Sequence, residues 1–139
     1  MEYGVIYQRL IPTESYLSWI KYCYLYGALP ILLQEGIKKM VTTINEEYKD
    51  DIIVPMGLHA QLGCIVTPNS VNKIAEALFG MYSVMLNSLD VQPNIRVVYS
   101  IGEIKNINVD SIHQVAPDKI MVKVGRYLDS ADDIGIFKI

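Results

Sequence analysis

The sequence predicts a single α+β domain, and three observations carry that prediction. Apolar residues recur at helical spacing through two long stretches, 30–48 and 71–89. Short runs rich in β-branched and aromatic residues, several of them alternating, lie at the start of the chain and again beyond residue 94. The 139 residues match one ordinary domain, and no internal repeat, low-complexity tract or linker divides them.

Taken in order, residues 2–11 alternate loosely, with Tyr3, Val5 and Tyr7 on one face and Ile6 and Leu10 on the other, which predicts a strand or extended arm. Pro12 and Thr13 then open a helix over 14–26 that stops at Gly27. Thr13 is placed to cap it, its hydroxyl accepting from an orphan amide. Pro30 suits the first position of a second helix, where its missing N–H costs nothing. Leu33, Ile37, Met40, Val41, Ile44 and Tyr48 form that helix's apolar stripe. Two short strands follow, Ile52–Val54 and Cys64–Val66, interrupted by Pro55, Gly57 and Gly63.

Pro68, Asn69 and Ser70 introduce a third helix. Val71, Ile74, Ala75, Leu78, Tyr82, Met85, Leu86 and Leu89 are its core stripe, and Asn72, Lys73, Glu76, Gly80, Ser83 and Asn87 its weakly charged far face. Beyond Pro93 the reading is all strands. Residues 95–101 form one, Gly102 and Glu103 a turn, and Ile104, Ile107 and Val109 a return strand. Another runs over 119–125, where Ile120, Val122 and Val124 alternate with Met121 and Lys123, and a last one over 134–139. The expected architecture is two N-terminal helices and one long central helix, packed on a mainly antiparallel sheet built largely from the C-terminal half.

Composition narrows the function. Hydrophobic residues make up 51% and charged residues 19% of the chain, against about 45–50% and about 25% in an average domain. So few charges leave apolar surface to be covered by a partner, and association is the first expectation. The net charge of −3 and the absence of a basic stripe argue against nucleic acid as partner. The longest uncharged run, 22–34, contains Gly27 and Pro30 and is shorter than the roughly 20 residues of a membrane span. The first residues lack a basic segment followed by an apolar core, so a soluble, cytoplasmic protein is expected, with Cys23 and Cys64 as unpaired small hydrophobes.

Motifs for chemistry are weak. His59 lies five residues before Cys64, but no nucleophile elbow or cysteine signature surrounds them. His113 sits in a polar stretch with Asp110 and Ser111. Two histidines and two distant cysteines do not make a metal-ligand set, and Asp129, Asp132 and Asp133 lack the glycine and distal glutamate of a calcium loop. No catalytic residue, metal or cofactor is expected. The aromatic residues are more informative: Tyr3, Tyr7, Tyr16, Tyr22, Tyr24 and Tyr26, six of the ten tyrosines, fall in the first 26 residues together with Trp19. One small helix cannot bury aromatics on several sides, and Tyr and Trp favour protein interfaces. Tyr16, Trp19, Tyr22 and Tyr26, with Asn72, Ser83 and Asn87 of the third helix, are the candidate interface residues.

From Asn69 onward, a long amphipathic helix, the hairpin IRVVYSIGEIKNINV, a turn, the strand KIMVKVGRY and the late DDIGIFKI follow one another. That order resembles the Roadblock-type domains related to dynein light chains over roughly half the chain. The family's members dimerise and serve small GTPases or motors, so the resemblance implies a scaffold. Two helices in the first 50 residues and broken strands near Pro55 depart from it, and no residue role carries over. The expected function is therefore a non-enzymatic subunit that self-associates or docks into a larger complex through the Tyr-rich helix, the far face of the third helix or an edge strand. Two alternatives stand beside it. One is a structural component of a virus or phage particle, of connector or tail type, in which case the location is the virion. The other is a small oligomeric enzyme with an inter-subunit site, for which His59, His113 and Glu103 are the first suspects.

Overall fold

The central strand of the molecule is its first element. In the computed structural model, which describes residues 1–26, 29–56, 63–92, 94–105, 107 and 118–139 (backbone only at 22–26, 29, 30 and 32), strand β1 (Glu2–Leu10) is followed by helices α1 (Glu14–Tyr26) and α2 (Leu29–Glu47). Then come strands β2 (Ile52–Val54) and β3 (Cys64–Val66), helix α3 (Val71–Ser88), strand β4 (Ile95–Glu103), helix α4 (Lys119–Asp129) and strand β5 (Gly135–Lys138). The strands make one sheet in the order β2-β3-β1-β4-β5. All neighbours are antiparallel except β4 and β5, which run parallel. This is the α+β fold that the sequence predicts, with α3 as the long helix on the sheet.

The two-residue period of β1 sorts the core into two layers. Ile6 joins Cys64, Val66, Val97 and Tyr99 beneath the apolar stripes of α2 and α3. On the opposite face Val5, Ile65 and Val98 lie beneath Ile120, Met121, Val124 and Leu128 of α4. The predicted stripe of α3 packs as read, with Val71, Ile74, Ala75, Leu78, Tyr82 and Leu86 buried. Thr13 caps α1, its Oγ1 accepting from the Tyr16 amide at 3.2 Å.

The C-terminal half differs from the strand reading in two places. Residues 119–129 are helix, because Ile120, Met121, Val124 and Leu128 are buried together and their spacing fits one helical face. The alternating Ile120, Val122 and Val124 satisfied the strand period equally well over so short a window. Nor does the chain turn at Gly102 and Glu103: β4 runs straight through both, with Gly102 opposite Tyr3 and Glu103 opposite Glu2. No strand is formed at Ile104 or Ile107, and Val109 lies outside the described residues. As a result the sheet is shared between the halves. The central strand and one edge come from residues 1–66, and β4 and β5 complete it.

Two glycines set how closely helices approach this sheet. A Cβ on Gly4 would lie 2.6 Å from Val71 at the start of α3, and one on Gly102 would lie 2.8 Å from Ile120 at the start of α4. Each helix therefore begins over a glycine window, one on either face. Gly80, in the middle of α3, has nothing near its missing Cβ. Gly102→Ala should destabilise the fold by about 1–3 kcal/mol through overpacking, whereas Gly80→Ala should stabilise it by up to about 1 kcal/mol. Urea unfolding of the two variants would show opposite shifts of the midpoint; shifts of one sign would contradict the windows.

The parallel return into β5 is held by a pair of arginines. Arg9 and Arg96 are direct cross-strand partners on β1 and β4, and both turn toward the C-terminal end of α4. Arg96, fully buried, donates to the carbonyls of Tyr127, Leu128 and Asp133 at 3.0–3.1 Å, and its guanidinium stacks 4.4 Å from the Phe137 ring centre. Arg9 donates to the carbonyls of Leu128 and Ala131, at 3.0 and 2.5 Å, and to Asp132 Oδ1 at 2.8 Å. Cations belong at this end of a helix, where unpaired carbonyls carry partial negative charge. Arg96→Met should cost on the order of 3 kcal/mol, since it removes three charge-assisted hydrogen bonds from a buried guanidinium and leaves the Asp133 carbonyl without the partner it has here. The better solvated Arg9→Met should cost about 1 kcal/mol. Equal losses in denaturant titrations would contradict this ranking.

Candidate interaction surfaces

Helix α1 is the least embedded element of the fold. The 13-residue helix packs mainly on α2. Tyr16 and Trp19, one turn apart, are half-buried with ring centres 6.3 Å apart, and Leu17 beside them is 52% exposed. Tyr22 and Tyr26 lie on the same helix, with side chains outside the described residues. The crowding of tyrosines has a partly internal explanation, because Tyr3 and Tyr7 pack under α4.

The second feature is a groove between α2 and α3. Gly36 admits Met85 so closely that a Cβ there would lie 2.7 Å from its sulfur. Above this contact opens a cavity of about 420 Å³, bordered by Met40, Met81, Val84 and Met85 with Lys39 and Ser88 at its rim. Val84 is 70% exposed, as is 63% of Ile31 near the start of α2. Methionine side chains adapt to different partners more readily than branched ones.

The far face of α3 divides between two flanks. Gly80, Val84 and Ser88 border the groove. Asn72 instead accepts from the Tyr99 hydroxyl of β4 at 2.8 Å, and Ser83, half-buried, donates to the Phe79 carbonyl at 2.8 Å. Asn87 is exposed near the helix end. Val84, Met81 and Met85 were missed as a surface because the helical period assigned Met85 to the core and gave no reason to separate the flanks.

Groups suited to chemistry are not assembled among the described residues. His59 and His113 lie outside them, and the Cys23 side chain does as well. Glu103 is exposed at the end of β4, in a shallow hollow with Lys105, Asp118 and Lys123. Cys64 is fully buried on β3, and desolvation pushes its thiol from the ordinary 9.0 up to about 12, the reverse of what a nucleophile requires. No group of three potential metal ligands occurs among the described residues. Asp129 and Asp132 pair with Arg9, Asp129 at 3.8 Å. No described helix is long and apolar enough to cross a membrane. No family model, curated protein or solved structure matches the chain.

The buried thiol gives a pH signature. Above about pH 9 the unfolded chain releases the Cys64 proton while the folded state keeps it to about 12, so this contribution to stability is full below pH 9 and is lost as pH rises from 9 toward 12. In a Cys23→Ser background, Cys64→Ala should show a shallower alkaline decline of unfolding free energy than the parent, and native Cys64 should resist maleimide. Rapid labelling of the native state would contradict the burial.

Proposed function

We propose that the protein is a non-enzymatic subunit of a protein assembly, which self-associates or docks through its helical layer. The observation that carries the reading is a set of three large apolar side chains, Leu17, Ile31 and Val84, more than half exposed on α1, α2 and α3, the last of them bordering a methionine-rich groove. Exposing such groups singly is ordinary, but their concentration in one layer, with a half-buried Tyr16 and Trp19, is the composition of a contact surface. The inaccessible thiol of Cys64 weighs against a catalytic cysteine as the reason for the fold. The Roadblock resemblance rested partly on a strand at 119–127, which is α4, and the reading does not draw on it.

A surface of this kind behaves as a few central anchors within a tolerant surround. Leu17→Glu with Val84→Glu, both at exposed positions, should leave thermal stability nearly unchanged while reducing the mass seen by light scattering below that of the wild-type assembly. A wild-type chain that is monomeric at the highest attainable concentration would sink the self-association reading, and a double variant that assembles like wild type would move the contact off this layer.

A further inference from the structure

The two edges of the sheet are unequal. β2 has three residues and an irregular register with β3, a form that discourages further pairing. β5 pairs with β4 through four consecutive residues without a bulge or proline, and among the described residues nothing pairs with its outer side. Its free backbone groups can be named. The Ile139 amide donates inward to the Tyr99 carbonyl, so by alternation those of Ile136 and Lys138 point outward.

The surface beside this edge carries basic side chains along α4 and an acidic loop at the α4 C-terminal end. Lys119 and Lys123 in the first half of α4 and Arg126 in its last turn lie along one side of the helix, where with Val122 and Ile139 they line a groove of about 700 Å³; Asp118 and Glu103 border the first two lysines, which with Lys105 leave that end net basic. Beyond the α4 C-terminal end stand exposed Asp133 and Asp132, the latter paired with Arg9, with exposed Ile134 leading into β5. The Arg9–Arg96 clamp fixes this acidic loop through the carbonyls of Ala131 and Asp133.

We infer that β5 is a homodimerisation edge: two copies join their sheets through antiparallel β5 strands across a twofold axis, and each copy's Asp133–Ile134 end meets the basic groove beside the other's α4. Antiparallel pairing reverses the second copy, so the Lys119–Lys123 half of one α4 faces the Asp133 loop of its mate twice in the same interface. Such self-complementarity is what an isologous contact requires. It favours a second copy over an unrelated strand, for which backbone pairing would suffice without this charge arrangement. The inference rests on the assembly reading but uses a different face from the helical layer.

Hydrogen exchange on the full chain tests it directly. The Ile136 and Lys138 amides should be protected at high concentration and lose protection on dilution, while those of Phe137 and Ile139 stay protected throughout. Lys138→Pro deletes an outward donor at an exposed position and should weaken dimerisation at least about tenfold in sedimentation equilibrium. Lys123→Glu and Asp133→Lys should each weaken it several-fold, more so at low salt, and combining them in one chain should restore much of the loss. Outward amides that exchange freely at every concentration, or Lys138→Pro and Lys123→Glu dimers as tight as wild type, would overturn the β5 interface. If Leu17→Glu with Val84→Glu then still separates the chains, the assembly reading survives without it; a wild-type monomer removes both.

Discussion

Pairing Arg9 with Arg96 across the two central strands is the constraint on which the C-terminal part of this fold depends. Like charges directly opposite one another on neighbouring strands repel, and a buried guanidinium without partners is costly. Both costs are met by one arrangement, in which the C-terminal end of α4 and the loop behind it supply five carbonyl acceptances and a carboxylate. Once α4 ends at that point on the sheet, the chain has only one short path onward. It passes along the outer side of β4, and β5 forms there in the parallel sense.

The same economy runs through the middle of the molecule. β1 has helices above and below it, so its buried side chains are apolar, small or hydrogen-bonded, with Gln8 Oε1 the one buried acceptor on the strand left without a partner among the described residues. Gly4 gives way to α3, and Gln8 donates to the Tyr82 hydroxyl at 2.9 Å. At the end of the strand, the Ile11 and Asn94 backbones are joined at 2.6 Å, with the Asn94 side chain donating to the Ile11 carbonyl as well. Asn45 does similar work at a broken edge, its amide bonding the Met56 backbone at both N–H and C=O where no strand is present to do so. Polar residues that read as surface in a linear pattern are here the closures of an otherwise apolar core.

That contrast explains what could be read from the sequence. The helical stripes of α2 and α3, the Thr13 cap and the short strands around Pro55 were legible because a single local signal settled each of them. α4 was not, since Ile120, Val122 and Val124 obey the strand period while Ile120, Met121, Val124 and Leu128 obey the helical one, and only packing against Gly102 and the arginine clamp decides between them. The turn expected at Gly102 failed for a related reason: the glycine is there to admit Ile120, and a missing side chain looks alike in either role. Of the candidate contact surface, Tyr16 and Trp19 were visible as an aromatic cluster, while Val84 and the methionine groove emerge only when α2 and α3 are placed side by side.

The low charge content is the last point to account for. A sheet covered on both faces needs two apolar layers, and Tyr3, Tyr7, Tyr82 and Tyr99 are absorbed by them. Composition alone therefore overstates how much apolar surface is left for partners. Among the described residues much of what is left is unevenly placed: it collects on the helical layer in Leu17, Ile31 and Val84 and beside β5 in Val122, Tyr127 and Ile134. Only the second of these sites is bordered by opposite charges in an order that a twofold axis would match. A surface with greasy contact but no such order can accept many partners, and one with it selects its own copy.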